Sequence, residues 1–300
     1  MSVPALEPPV VDSAGAPLWS RGPRHTMVSR TAGQWPVLAR RWSWLLVVVG
    51  GFLLYELVRQ TLLDTKDPLY APTLILVGSA VVPVAFVTFV SARRLVFGVG
   101  GVAVALTTLL GGVIGVVAAG TLEFETRRSL GVLPMFAVGL IEELAKLLVP
   151  AVALLVLRRG RRPADGLLLG VAAGAGFALL ETMGYAFVAL VRSGGNLTVV
   201  NDLILDRSLL SPAAHMAWTG LLAAALWRAA AGHWRGRAVA RLAGTYFLVA
   251  ALHAAWDSTG SGWVRAALSL VGLGLLAWTA HRLAAPDRAS REAAGYRLAS

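Results

Sequence analysis

Cysteine is absent from all 300 residues. Disulfides, thiolate metal ligands and cysteine nucleophiles are therefore excluded. Lysine is nearly absent too: of the 27 basic residues only Lys66 and Lys146 are lysines, an arginine bias that fits a GC-rich bacterial coding sequence. Charge of either sign is scarce, at 14% of residues, where a soluble domain carries roughly 25%. No HExxH zincin motif and no GxSxG elbow occurs. The spans predicted below hold a single aspartate, Asp257, near an end, which leaves no aspartyl dyad.

What the chain has instead is apolar length. Hydrophobic residues make up 57% of it, with a mean hydropathy of +0.69. They come in runs of about 20 residues, enough to cross a hydrocarbon core of roughly 30 Å. Eight spans are predicted, at 43–60, 71–91, 95–119, 132–157, 166–191, 208–228, 240–258 and 263–281. The fold class is all-α: a polytopic helical bundle in the cell membrane, with about eight transmembrane helices.

The net charge of +11 invites a nucleic-acid partner, but the basic residues sit in short clusters between the apolar runs. That pattern orients a membrane protein, so lipid is the expected partner and nucleic acid is not. Arg93 and Arg94, then Arg158, Arg159, Arg161 and Arg162, then Arg228, Arg235, Arg237 and Arg241 mark alternate connections. Asp64, Asp67, Glu123, Glu125, Asp202 and Asp206 fall in the intervening ones. The alternation predicts both termini cytoplasmic. Residues 1–41, rich in Pro, Gly, Ser and Arg, read as a disordered cytoplasmic tail, 42–282 as the membrane domain and 283–300 as a second cytoplasmic tail. The first apolar stretch, from near Trp42, is long enough to span, so no cleavable signal peptide is expected. Gly166, Gly170 and Gly174 repeat every fourth residue, a spacing that lets another helix approach closely. Trp42, Trp44, Trp218, Trp227 and Trp263 are expected mostly as interfacial anchors.

The fourth span contains VGLIEELAKLLVP, with Glu142, Glu143 and Lys146 where water should be scarce. An ionisable group near the bilayer centre costs roughly 2.5–3.5 kcal/mol, so three unpaired ones would cost on the order of 8–10 kcal/mol. Glu142 and Lys146 are i,i+4 with the acid first, and Glu143 and Lys146 are i,i+3, both pairing distances on a helix. Successive side chains point about 100° apart. One lysine is thus expected to serve one carboxylate well and leave the other to a partner elsewhere.

Candidate partners lie on the next three spans: Glu181 in GFALLETMGY, His215 in SPAAHMAWTG, and His253 and Asp257 in ALHAAWDS. Counted from the outer side, Glu142 and Glu181 lie about ten residues deep, His215 about seven and His253 about five, all within roughly 15 Å at 1.5 Å per residue. Four helices thus send polar groups to one layer. Glu56, beside Tyr55 and Arg59, reads as interfacial.

Such a set can activate water in two ways. A divalent ion such as zinc, held by Glu181, His215 and His253, could act with Glu142 or Glu143 as general base. Alternatively a glutamate takes the proton directly while histidines orient the water and stabilise the oxyanion. The rival from another class is a proton-coupled transporter or a non-catalytic receptor using the same buried cluster. A transporter of that kind is expected to show internal repeats and broken helices, and neither stands out in the sequence.

The ordered combination EExxK (Glu142, Glu143, Lys146), FxxxE (Phe177, Glu181), PxxH (Pro212, His215) and HxxxD (His253, Asp257) resembles the PrsW family of intramembrane proteases. That family belongs to a wider group with the CAAX-processing and bacteriocin-processing enzymes. The resemblance implies an intramembrane endopeptidase with Glu142, Glu143, Glu181, His215 and His253 essential and Asp257 supporting. It implies membrane-anchored protein substrates, with site-1 cleavage of an anti-sigma factor as the type case. It leaves both a metalloprotease and a glutamic protease open. CAAX-type relatives carry Arg at the position of Lys146 and His at that of Glu181, a departure that argues against a prenylated substrate.

Overall fold

The computed structural model of the chain describes residues 37–298 except 94, 96, 158–161 and 211. The expected N-terminal tail lies almost wholly outside the described residues, as do Arg94, Arg158, Arg159 and Arg161 of the orienting clusters. Among the described residues there is no strand. The helices are α1 (Val37–Thr65), α2 (Tyr70–Ser91), α3 (Gly101–Leu130), α4 (Met135–Val156), α5 (Pro163–Arg192), α6 (Leu197–Leu210), α7 (Ala217–Ala231), α8 (Gly236–Ser258) and α9 (Gly262–Leu298).

Seven helical stretches among the described residues are long and apolar enough to cross a bilayer. The 22-residue α4 falls outside that set because Glu142, Glu143 and Lys146 lie at its centre. With it the expected number of about eight is met. The molecule is a multi-pass all-α membrane bundle.

Two spans differ from the sequence expectation at their ends, and one helix outruns its span. The third span starts at Gly101, because residues 97–100 form a loop pinned to the start of α5. There the buried Asp165 carboxylate accepts from the backbone N–H of Gly98 (2.5 Å), Val99 (3.2 Å) and Arg162 (3.0 Å). The same helix runs on to Leu130 and ends at Gly131, whose φ of 72° suits glycine. Glu123 and Glu125 are therefore helical rather than in a loop. The sixth span begins earlier than expected, since Val200 and Ile204, one turn apart, bury against Ile75 and Ala186 and make α6 a helix. A π-helical turn, Pro212–Met216, then joins α6 to α7. Finally, α9 continues to Leu298 through the segment expected as a tail.

The centre of the bundle is α5, clasped by α3 and α7. Inside a bilayer there is little hydrophobic drive between helices, so contact relies on small residues that let backbones approach. The glycine stripe serves this: a Cβ added at Gly174 would lie 2.5 Å from the His215 carbonyl oxygen. On the other side of the site, a Cβ at Gly139 would lie 2.5 Å from the Ala250 carbonyl oxygen, so α4 and α8 touch there. Tyr246 Oη donates to the Leu140 carbonyl at 2.7 Å and fixes the register of α8 against α4.

Candidate active site

The inward face of α4 carries Glu142, Glu143 and Lys146, all buried. Lys146 Nζ has three hydrogens and no lone pair; it donates to Glu143 Oε1 and His215 Nδ1, each at 2.9 Å, and lies in ion-pair range of Glu142 Oε2 at 3.1 Å. The ammonium also lies 4.4 Å from the centroid of the Phe177 ring. One lysine thus hydrogen-bonds Glu143 and only approaches Glu142, whose Oε2 lacks a hydrogen-bond partner among the described residues and lies near His253, as the 100° step led us to expect. Its flexible four-carbon stem places Nζ between the two carboxylates.

The histidines complete the network. His253 Nδ1 donates to Glu143 Oε1 at 2.8 Å, and its Nε2 lies 3.4 Å from Glu142 Oε2 and 3.3 Å from Asp257 Oδ2. His215 sits in the π-helical turn, the kind of local insertion common at functional sites. Its Nδ1 accepts from Lys146 while its Nε2 lies 3.1 Å from Glu181 Oε2. The two imidazole centroids are 5.5 Å apart. All seven residues singled out in the sequence thus form one continuous set drawn from α4, α5, the π-helical turn and α8.

A cavity of about 410 Å³ opens beside this set. Glu142, Glu181, His215 and Asp257 line it, whereas Glu143 and Lys146 lie behind. The remaining lining includes groups that sequence reasoning did not single out. Arg207, on α6, places Nη2 2.8 Å from Glu181 Oε2 and donates from Nε to Thr182 Oγ1 at 3.3 Å. Glu123, on the unexpectedly long α3, also faces the cavity. Both had been assigned to connections by hydropathy alone; a charge eight residues before His215 was the available signal for Arg207. Two of the tryptophans expected at interfaces are instead fully buried, Trp218 and Trp227. Trp218 packs against His253 at 5.4 Å between ring centroids and so braces the imidazole.

Three donors among the described residues are close enough to hold a metal: Glu142, His215 and His253 offer ligand atoms all within 4.8 Å of one another. The donor set is right for zinc, two imidazoles and a carboxylate. Two buried oxygens, Glu142 Oε2 and Glu181 Oε2, lie near cationic groups yet lack a partner at hydrogen-bonding angles. Such acceptors suit a cation or a bound water. Glu143 on His253 Nδ1 supplies the supporting carboxylate that orients a ligating imidazole through its other nitrogen. With Nδ1 accepting from Lys146, the proton of a neutral His215 sits on Nε2, so metal binding there would release it. The residues fit a divalent ion. The compact set contains Glu142 where Glu181 had been expected; Glu181 Oε2 lies 3.1 Å from His215 Nε2 and 2.8 Å from Arg207 Nη2.

The family model described as PrsW family intramembrane metalloprotease matches residues 83–281, from α2 into α9. The chain belongs to the PrsW family. As a family member it is an intramembrane peptidase of the multi-pass type, acting on protein substrates in the membrane, and the transporter and receptor readings fall away. The family description also implies a metal. Neither a curated protein nor a solved structure matches the chain.

Proposed function

We propose that the chain cleaves membrane-anchored proteins next to the outer membrane surface, at the cavity lined by Glu142, Glu181, His215 and Asp257. The observation that carries this reading is the four-helix convergence of buried acids and imidazoles on one water-accessible space. The positive-inside pattern puts that space on the outer side, and residues 42–282 form the protease domain. A membrane-anchored anti-sigma factor is the substrate class that the family resemblance implies.

His215, His253 and Glu142 would hold the ion, zinc being the natural choice for this donor set. When bound there, it supplies Lewis-acid polarisation and acidifies a water. Glu143, enclosed behind the cavity, orients His253 and fixes its tautomer. Lys146 lies between the two α4 carboxylates, offsets one of their charges and locks His215. With Glu142 among the ligands, Glu181, the cavity carboxylate beside His215 Nε2 at 3.1 Å, accepts the proton from the attacking water. The same carboxyl then returns that proton to the departing amine. Arg207, paired with Glu181, holds the carboxylate in place, and Asp257 steadies His253 from the cavity side.

The test uses purified protein in detergent with a membrane-tethered peptide. Cleavage that stops on adding chelator and returns with zinc supports the full scheme. Chelator-resistant cleavage that is lost in both Glu142→Gln and Glu181→Gln would assign the reaction to direct glutamate catalysis. Undiminished turnover in His253→Ala and Glu143→Ala would defeat the assignment of the site.

A further inference from the structure

On the membrane face opposite the catalytic cavity, α7, α8 and α9 part to leave a groove of about 1010 Å³. Small-molecule sites span about 300–1,000 Å³, so this space lies at the top of that range. Its lining has a regular plan. Each helix contributes one arginine and one leucine seven residues apart: Leu221 and Arg228 on α7, Arg241 and Leu248 on α8, Leu275 and Arg282 on α9. Seven residues are two turns, so each pair shares a face with the leucine about 10 Å deeper. All three arginines fall at the same membrane face, because α7 and α9 end towards it and α8 starts from it. The catalytic Asp257 is sixteen residues further along α8 than Arg241, about 24 Å away along the axis.

The three guanidiniums are exposed, and none is paired with a carboxylate among the described residues. Among the described residues, Arg282 lies over the Trp278 ring at 5.2 Å. Like charges bordering one groove without a counter-ion repel one another. A ligand that carries an anion above and hydrocarbon below would satisfy both layers at once. A phospholipid from the surrounding bilayer has that shape.

We infer that this groove is a binding site for one anionic phospholipid, its phosphate held by Arg228, Arg241 and Arg282 and its acyl chains lying on Leu221, Leu248 and Leu275. Basic pockets between transmembrane helices recognise acidic head groups in this way. The bound lipid fills the gap between α7, which follows directly from the His215 turn, and α8, which carries His253. The site is separate from the catalytic cavity and stands whatever bond the protease cuts.

The experiment reconstitutes the full chain with phosphatidylglycerol or with phosphatidylcholine of the same acyl chains, then strips bulk lipid in detergent. Native mass spectrometry counts what stays. A single retained phosphatidylglycerol, preferred at least about tenfold, is expected, with retention falling about fivefold for each of Arg228→Gln, Arg241→Gln and Arg282→Gln. Leu248→Trp, which fills the groove and leaves every charge in place, is expected to lower retention as well and guards against an insertion defect in the arginine variants. Glycerol phosphate, which offers the anion without chains, should not compete. Equal retention of the two lipids, full retention in the triple arginine variant, or displacement by glycerol phosphate would each overturn the site.

Discussion

The helices α1 and α5 have almost the same length, 29 and 30 residues, and equal mean hydropathy over their apolar stretches. Yet only 6% of that stretch is buried inside the protein in α1, against 78% in α5. Their compositions explain the contrast. The middle of α1 is built from Leu, Val and Phe, with Leu46, Val49, Phe52, Leu53 and Leu57 facing outward. The middle of α5 is built from Gly and Ala, which let α3 and α7 close on it. Hydropathy states that a segment crosses the membrane; side-chain size states whether it meets lipid or protein.

The contrast extends to charge. Each helix carries a glutamate paired to an arginine at similar distance, Glu181 to Arg207 at 2.8 Å and Glu56 to Arg59 at 2.9 Å. The first spans two helices and faces the catalytic cavity, while the second is local to one helix turn. Glu181→Gln is expected to lower kcat by about 10²–10⁴-fold, the usual contribution of a positioned proton acceptor. Glu56→Gln should leave turnover in the same peptide assay within about twofold, in line with a half-exposed pair of little energetic weight. Equal losses in the two variants would break the comparison.

A second test concerns what holds the interior together. Lys146→Met removes the cation shared by Glu142, Glu143 and His215, leaving buried carboxylates uncompensated. A loss of about 3–5 kcal/mol in unfolding free energy is expected, measured by denaturation in detergent micelles. The smallest effects sharpen the packing contrast. Gly174→Ala must push against the His215 carbonyl and is expected to destabilise by about 1–3 kcal/mol, with activity falling as the His215 turn shifts. Gly50→Ala on α1, where an added Cβ meets nothing within 4 Å, should change stability by less than about 0.5 kcal/mol.

Much of the site was legible in advance because ionisable groups in apolar runs are costly and so stand out. Glu142, Glu143, Lys146, Glu181, His215 and His253 could be named from that alone, and the motif order pointed to the family. Arg207 and Glu123 were not among the site candidates, since both lie where hydropathy falls and a connection looked natural. Their place on α3 and α6 depends on where those helices end, which a hydropathy profile resolves poorly at span boundaries. The buried Trp218 and Trp227 were misjudged for a related reason. Tryptophan favours the interface on average, and only the neighbours on α5, α8 and α9 reveal that these two lie inside.

The amino-acid sequence by itself determined that this protein lives in a membrane, roughly how many times it crosses, and which side chains are too polar to face lipid. Those properties follow from transfer free energies that each residue carries wherever it sits. Tertiary structure alone decided that one lysine would lie between the α4 carboxylates and reach a histidine, that Glu143 would be sealed behind the cavity while Glu142 and Glu181 face it, and that three arginines would border one groove. These outcomes depend on how closely helices approach and how they rotate about their axes, which packing between distant segments sets.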